Sequence, residues 1–425
     1  MLLDSNIWLK PIAKRILHIL PVSTLRGISY QMDPLSKLLS LPPSEKERLG
    51  VVHTPGEVAQ QPATWRETYQ KMVTLAPAIE QFLVRVGLDD VSRTPLNVTL
   101  IGAGTSDYIG KSVCSLLQKE WRCDVNAVPS TDLLTNMEEH VIPGRRYLWI
   151  SFSRSGDSSE GVAVLETALK RYPEIKHLIV TCNQQGQMAR TFSDNESVFT
   201  IVLNDDVNDR GLAMTSSFSN MVIVAQSLAH FRNLDSYGSV LEALADAALV
   251  TLPAAAEVCE RIVQNGFSRA CFLGSGALKG AAIESALKVL EFTNGRVLSF
   301  GESFLGLRHG PLSAITADTL VVGLLSSEPR RRAFELDLLK EIWDKQLTAK
   351  CIAVIPDQDI EAVKIGQNGI SLGLRRDIID LYRPPVDVLI GQLLGLFSSL
   401  REGLKPDTPS PQGAINRVVS HVTIY

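Results

Sequence analysis

LNVTLIGAGTS, residues 96–106, runs from a β-branched apolar stretch into Gly-x-Gly and then two hydroxyl residues. The stretch predicts a buried strand, the glycines a tight turn, and GKSVCSLLQKEW (110–121), with apolar residues at helical spacing, a helix. The pattern repeats downstream. RYLWISFSRSG (146–156), HLIVTCN (177–183) and VFTIVL (198–203) read as strands, and SSEGVAVLETALKRY (158–172) as a helix. Strands alternating with helices imply a parallel sheet covered on both faces.

A second series opens in the same way. ACFLGSGALKG (270–280) again places a strand before Gly-x-Gly and a helix after it, and its first glycine lies 172 residues beyond Gly102. TLVVGLLSS (319–327), KCIAVIP (350–356) and VDVLIGQ (386–392) complete this strand set. The reading is an internal duplication, two α/β domains joined by an alanine-rich helical stretch near 238–260. Expected boundaries are 1–50 for a loosely packed amino-terminal extension and 51–240 for the first domain with a helical lead-in. The second domain spans 241–404, and 405–425 form a Pro/Gly-rich tail that crosses the surface before a short strand, HVTIY. The helical lead-in is expected to pack on the first domain.

The chain of 425 residues has 45% hydrophobic and 21% charged residues, an ordinary globular mix, and its net charge of −4 offers no basic surplus for nucleic acid. Six cysteines stand in or beside apolar stretches with no C-x-x-C pair, which points to reduced, buried thiols and a cytoplasmic protein. No run reaches the roughly 18 apolar residues of a membrane helix, so no membrane partner is expected. Lys10, Lys14 and Arg15 before ILHILPVSTL suggest a signal peptide, but His18 and Pro21 interrupt the apolar part and no small-x-small cleavage site follows. Residues 1–31 are read as an attached extension or as sequence upstream of a true start at Met32.

A dinucleotide site is not expected, because the third glycine of G-x-G-x-x-G falls on Asp107 and, in the second copy, on Lys279. Instead Thr105 and Ser106 start one helix, and Ser153, Arg154, Ser155 and Ser158 surround the start of the next. Any one serine there reads as a helix cap. Together, two neighbouring helix starts rich in hydroxyls and bare N–H groups predict a phosphate cradle, with Arg154 as a cation beside it. Glu284, Lys288 and Glu291 share one face of the helix after GSGALKG. They fit either a solvated ion-paired face or a buried carboxylate with a raised pKa serving as a base.

Strand–GxGTS–helix, SxSGxS and E-x(17)-HGP, in this order, resemble the sugar isomerase (SIS) phosphosugar-binding domain, present twice. Glu291…LRHGP is similar to the isomerase half of glucosamine-6-phosphate synthase. HTPGEVAQQPATWRET (53–68), NDRGLAMTSSFSNM (208–221) and SPQGAINRVV (410–419) resemble the galactosamine-6-phosphate deaminase/isomerase branch, also called tagatose-6-phosphate ketose/aldose isomerase. The resemblance covers roughly residues 55–425. It implies that Ser106, Ser153, Arg154, Ser155 and Ser158 hold the 6-phosphate, and that Thr105 and the backbone near Leu212 and Ala213 line the sugar. It implies Glu291 as the base moving the C2 proton, with Glu284 and Lys288 beside it, and His309 as the ring-opening residue, supplied by a neighbouring subunit. A homodimer or higher oligomer with shared sites follows. One place departs: where the synthase has a Schiff-base lysine in its tail, this chain has Asn416, which offers a hydrogen bond to a sugar hydroxyl or water in place of an imine.

The expected reaction is the deaminating isomerisation of galactosamine 6-phosphate to tagatose 6-phosphate and ammonia, without metal or redox cofactor. A plain aldose–ketose phosphosugar isomerase and a non-catalytic phosphosugar sensor are the competing readings. A transcriptional sensor calls for a helix-turn-helix and a basic face, which residues 1–70 do not display.

Overall fold

The structure, a computed structural model, describes residues 32–88, 95–192, 194–356, 368–418 and 422–425. Residues 1–31 and His421, on which two of the expectations above fall, lie outside them.

Strand β1 (Leu96–Gly102) buries Val98, Leu100 and Ile101 and pairs in parallel with β2 (Asp124–Pro129) on one side and β3 (Arg146–Ser153) on the other. With β4 (Lys176–Thr181) and β5 (Val198–Val202) the order is β2-β1-β3-β4-β5. Strands β6 (Arg269–Leu273), β7 (Leu298–Glu302), β8 (Thr319–Leu324), β9 (Cys351–Ile355) and β10 (Asn368–Ser371) form a second parallel sheet, ordered β7-β6-β8-β9-β10. The strands of the two sheets thus follow one another in the same spatial sequence. Both Gly-x-Gly turns have the same shape: Gly104 has φ 55° and Gly276 φ 58°, which a side chain rarely adopts. A Cβ on Gly102 or Gly274 would lie 2.3 Å or 2.2 Å from the backbone of the helix that follows. Glycine lets each helix start directly against its strand.

The helices that matter below are α1 (Pro34–Leu39), α2 (Thr54–Ala59), α3 (Gln61–Val86), α4 (Thr105–Trp121), α5 (Ser159–Arg171) and α6 (Ser216–Ala229). In the second half they are α7 (Leu234–Asn265), α8 (Ala277–Phe292), α9 (Pro329–Asp344) and α10 (Pro384–Arg401). Val113 and Leu117 of α4 and Phe218 and Val222 of α6 close over the first sheet. Val289 of α8 and Leu393 of α10 do so over the second. Helix α7 is long and apolar enough to cross a membrane by length and composition, but Leu241, Leu244, Ala248, Leu252 and Cys259 are buried in the second core. All six cysteines are free thiols; four are buried and Cys114 and Cys123 half-buried, and burial pushes Cys351 up to about 12.

Five expectations change. VDVLIGQ is the first part of α10 rather than a strand, since a short apolar run is the same for a buried strand and for a helix buried all round. Every residue from Pro384 to Ser399 is buried, and the charge on Asp387 is met by Arg383 Nη2 at 2.8 Å. Residues 32–50 are not loose, because α1 packs against α7 and buries Leu35. Helix α3 packs on both halves: Met72, Ile79, Phe82 and Leu83 enter the first core, Trp65 and Tyr69 the second. The tail is tied down, since the Asp407 carboxylate accepts from the amides of Val52 (2.7 Å) and Thr54 (2.8 Å) and from Thr54 Oγ1 (2.8 Å). Residues 422–425 form no strand.

Candidate active site

The order β2-β1-β3 makes the gap between β1 and β3 a switch point, where parallel sheets open a crevice at their carboxyl ends. A cavity of about 130 Å³ lies there, lined by Ser106 from the first turn of α4 and by Ser153, Arg154, Ser155 and Ser158 from the turn into α5. All five residues of the expected cradle converge. Ser153 Oγ accepts from Gly156 N at 3.0 Å and Ser155 Oγ from Asp157 N at 3.2 Å. These bonds close the turn and leave each hydroxyl proton for a ligand. Ser158 precedes α5 without making a capping bond.

Arg154 is buried, and its guanidinium donates to the carbonyls of Leu212 (3.0 Å), Gly211 and Arg417. It therefore ties two other segments to the cavity as well as bringing charge to it.

Thr105 turns the opposite way, toward α8. Its Oγ1 donates to Glu284 Oε1 (3.3 Å) and accepts from Lys288 Nζ (3.0 Å). Lys288 also pairs with Glu284 Oε1 at 3.2 Å and Glu291 Oε2 at 2.6 Å. The side chains of Glu284 and Lys288 are 0% exposed and that of Glu291 22%, so this is no solvated face. Burial raises the Glu284 carboxyl to about 8; Lys288 opposes the rise and Glu291 adds to it. Its Oε2 is buried with no hydrogen-bond partner, so no donor there stabilises the ionised form. Burial acts to lower the Lys288 value, but the two carboxylates outweigh it and the ammonium keeps its charge. Among the described residues no group of three or more His, Cys, Asp or Glu side chains is placed to hold a metal ion.

No family model matches the chain. D-galactosamine-6-phosphate deaminase AgaS of Escherichia coli O157:H7 is 36% identical over 373 residues, 88% of this chain and 95% of that protein. The crystal structure of tagatose-6-phosphate ketose/aldose isomerase from Escherichia coli, 33% identical, matches with a TM-score of 0.78 over 88% of this chain and 96% of the other. This chain belongs to that deaminase/isomerase family. It is an enzyme built of two SIS domains, and the C-terminal domain of glucosamine-fructose-6-phosphate aminotransferase from Francisella tularensis shares the fold, with a TM-score of 0.69 at 19% identity.

The three segments that resembled this family meet in space. Glu57 accepts from the amides of Arg210 and Gly211, Asp407 holds the start of α2, and Arg417 Nε donates to Asp209 O at 2.8 Å. Asp209 caps α6, accepting from the amides of Thr215 (2.8 Å), Ser216 (3.0 Å) and Ser217 (2.9 Å). Burial, with Asp209 nearby, raises Glu57 to about 7. These carboxylates fix the loop whose carbonyls Arg154 grips. Sequence reasoning missed their role because each looks like an ordinary surface carboxylate; the family-like segments mark the places of Glu57 and Asp209 but not that of Asp407.

Two expected residues stand elsewhere. His309 is exposed and does not line the cavity; it follows the short helix Phe304–Leu307, and its neighbour Arg308 is anchored to α9 by Glu341 (2.7 Å) and Asp337 (2.8 Å). Asn416 is exposed too, and the tail residues that reach the cavity are Arg417 and Val418.

Proposed function

We propose that this enzyme converts D-galactosamine 6-phosphate to D-tagatose 6-phosphate and ammonia. What carries the reading is the adjacency of Thr105 and Ser106: one bonds the carboxylate–lysine cluster, the next lines the serine cradle. A phosphate held by Ser106, Ser153, Ser155 and Ser158 brings the sugar carbons toward α8. The relatives named above act on this substrate and product by their names.

His309, supplied by a neighbouring subunit, passes a proton from the anomeric hydroxyl to the ring oxygen and frees the C1 aldehyde. Glu291, the accessible carboxylate of the trio, takes the C2 proton and returns it to C1 as the aldehyde oxygen is protonated. Nitrogen is then doubly bonded to C2; water adds there and ammonia leaves. Glu284 keeps its proton at neutral pH, so the Lys288 charge is paired with Glu291. Asn416 cannot form an imine with the ketone, which leaves C2 open to water.

The test is to incubate the enzyme with galactosamine, glucosamine and N-acetylated hexosamine 6-phosphates and with an amine-free aldose phosphate, assaying ammonia and ketose phosphate. Equal ammonia and ketose from galactosamine 6-phosphate is the expected result. A higher kcat/KM on the amine-free aldose would make the enzyme a plain isomerase.

A further inference from the structure

The second sheet has its own switch point, between β6 and β8. Ile101 pairs with Ser151 in the first sheet and Leu273 with Gly323 in the second, each one residue before its Gly-x-Gly turn. Counting on from these pairs, Ser326 and Ser327 occupy the places of Arg154 and Ser155. They too lead into a helix, α9. By the same count Leu278, Leu325 and Arg330 stand at the places of Ser106, Ser153 and Ser158. The second half thus keeps the hydroxyl of Ser155 as Ser327 and adds that of Ser326, while the first amides of α9 are taken by the Glu328 carboxylate.

This place is filled from within. Asp380 is 4% exposed, and both of its carboxylate oxygens are surrounded by donors. Oδ1 accepts from Ser327 N (2.7 Å), Ser327 Oγ (2.8 Å) and Arg383 Nη1 (3.0 Å). Oδ2 accepts from Ser326 Oγ and from Arg331 Nη1 (2.6 Å). Two hydroxyls, one amide and two guanidinium groups converging on one anion are more than a lone aspartate needs as a helix cap. They form the donor set of an oxyanion site. Burial works against the charge on Asp380, and Arg383 and the seryl donors outweigh it.

We infer that the second domain carries an oxyanion site of its own donor set, in which Asp380 is a built-in ligand, so that, resting on the proposed function, the first cradle is left to take the one phosphosugar of each chain. The occupant this second site accepts in the absence of Asp380 is a tetrahedral oxyanion, inorganic phosphate or sulfate.

The first measurement uses the unaltered chain: equilibrium dialysis with radiolabelled inorganic phosphate should give one saturable site per chain. Two sites, or one that survives Ser153→Ala/Ser155→Ala, would overturn the assignment. No saturable site in the unaltered chain would refute the first cradle and the proposed function with it, and the second measurement would then decide Asp380 by itself. The second measurement places Asp380→Ala in the Ser153→Ala/Ser155→Ala background and compares phosphate with chloride at equal ionic strength. Phosphate should raise Tm saturably, by about 3 °C or more beyond its effect on the parent. Soluble protein obtained in phosphate but not in chloride supports the same reading. Asp380→Asn, which keeps the volume and blocks the space, should show only the parent's response. Equal phosphate responses in Asp380→Ala and its parent, or a gain shared by Asp380→Asn, would refute the built-in ligand.

Discussion

Glu284→Gln isolates the buried carboxyl of the α8 cluster. The side chain is fully buried, and its folded value of about 8 stands well above the ordinary 4.5. Between these values the folded chain holds a proton that the unfolded chain has released. Stability therefore falls as pH rises from about 4.5 to about 8 and levels off above. At about 1.4 kcal/mol per pH unit the loss from pH 5 to pH 7 is about 3 kcal/mol. Glutamine has the same shape and no such proton, so the variant escapes this loss. With an unfolding entropy near 2.1 cal/mol/K per residue, about 3 kcal/mol in a chain of 425 residues is about 3 °C in Tm. Scanning calorimetry of parent and variant at pH 5, 6 and 7 should show the variant gaining about 3 °C on the parent over that range. Parallel Tm curves would mean that Glu284 is ionised at neutral pH, and the proposed pairing of Lys288 with Glu291 alone would fall.

Ser153→Ala/Ser155→Ala should raise KM by roughly a hundredfold or more, the scale of two bonds to a charged phosphate at about 1.5–3 kcal/mol each, with circular dichroism unchanged. An unaltered KM would leave both serines as turn-closing groups only. Glu291→Gln should lower kcat by about a hundredfold and abolish solvent-deuterium incorporation at C1. Inactive Glu291→Gln and His309→Ala chains, co-expressed, should regain about a quarter of parental activity in a two-fold dimer, because hybrids hold one intact site; no recovery despite proven subunit exchange would exclude a shared His309. Asp407→Ala removes the acceptor of the Val52 and Thr54 donors, should cost about 2–4 kcal/mol, and should expose the tail to limited proteolysis.

Parallel strands buried on both faces announce themselves as unbroken apolar runs, so β1, β3, β4, β6, β8 and β9 were legible in the sequence. Of the four edge strands only β5, read as VFTIVL, was: β2 (DVNAVP) and β7 (LSFGE) are half-exposed, and β10 (NGIS) opens on Asn-Gly, a turn signal. That Ser106, Ser153, Ser155 and Ser158 line one cavity was legible, because each sits within a few residues of one of two strand ends. The Thr105–Lys288 bond was not, since it joins residues 183 apart through the packing of α4 on α8. Nor does local pattern reveal that Asp380 accepts from Ser326 and Ser327, because the anion arrives from a short 3-10 turn 54 residues downstream of Ser326.

Helix α3 sets a timetable for the nascent chain. Gln61 Nε2 donates to Gln392 Oε1 at 2.6 Å across 331 residues of sequence, and Trp65 belongs to a core completed by α7 and α10. At roughly 5–20 residues per second on the ribosome, Gln392 is added roughly 20 to 60 s after Gln61. For that interval Gln61 lacks Gln392 and the core around Trp65 lacks α10, although the indole N–H already has Ser219 Oγ at 2.8 Å. The first half of the molecule therefore emerges with a seam that stays unfinished until the last helix closes it.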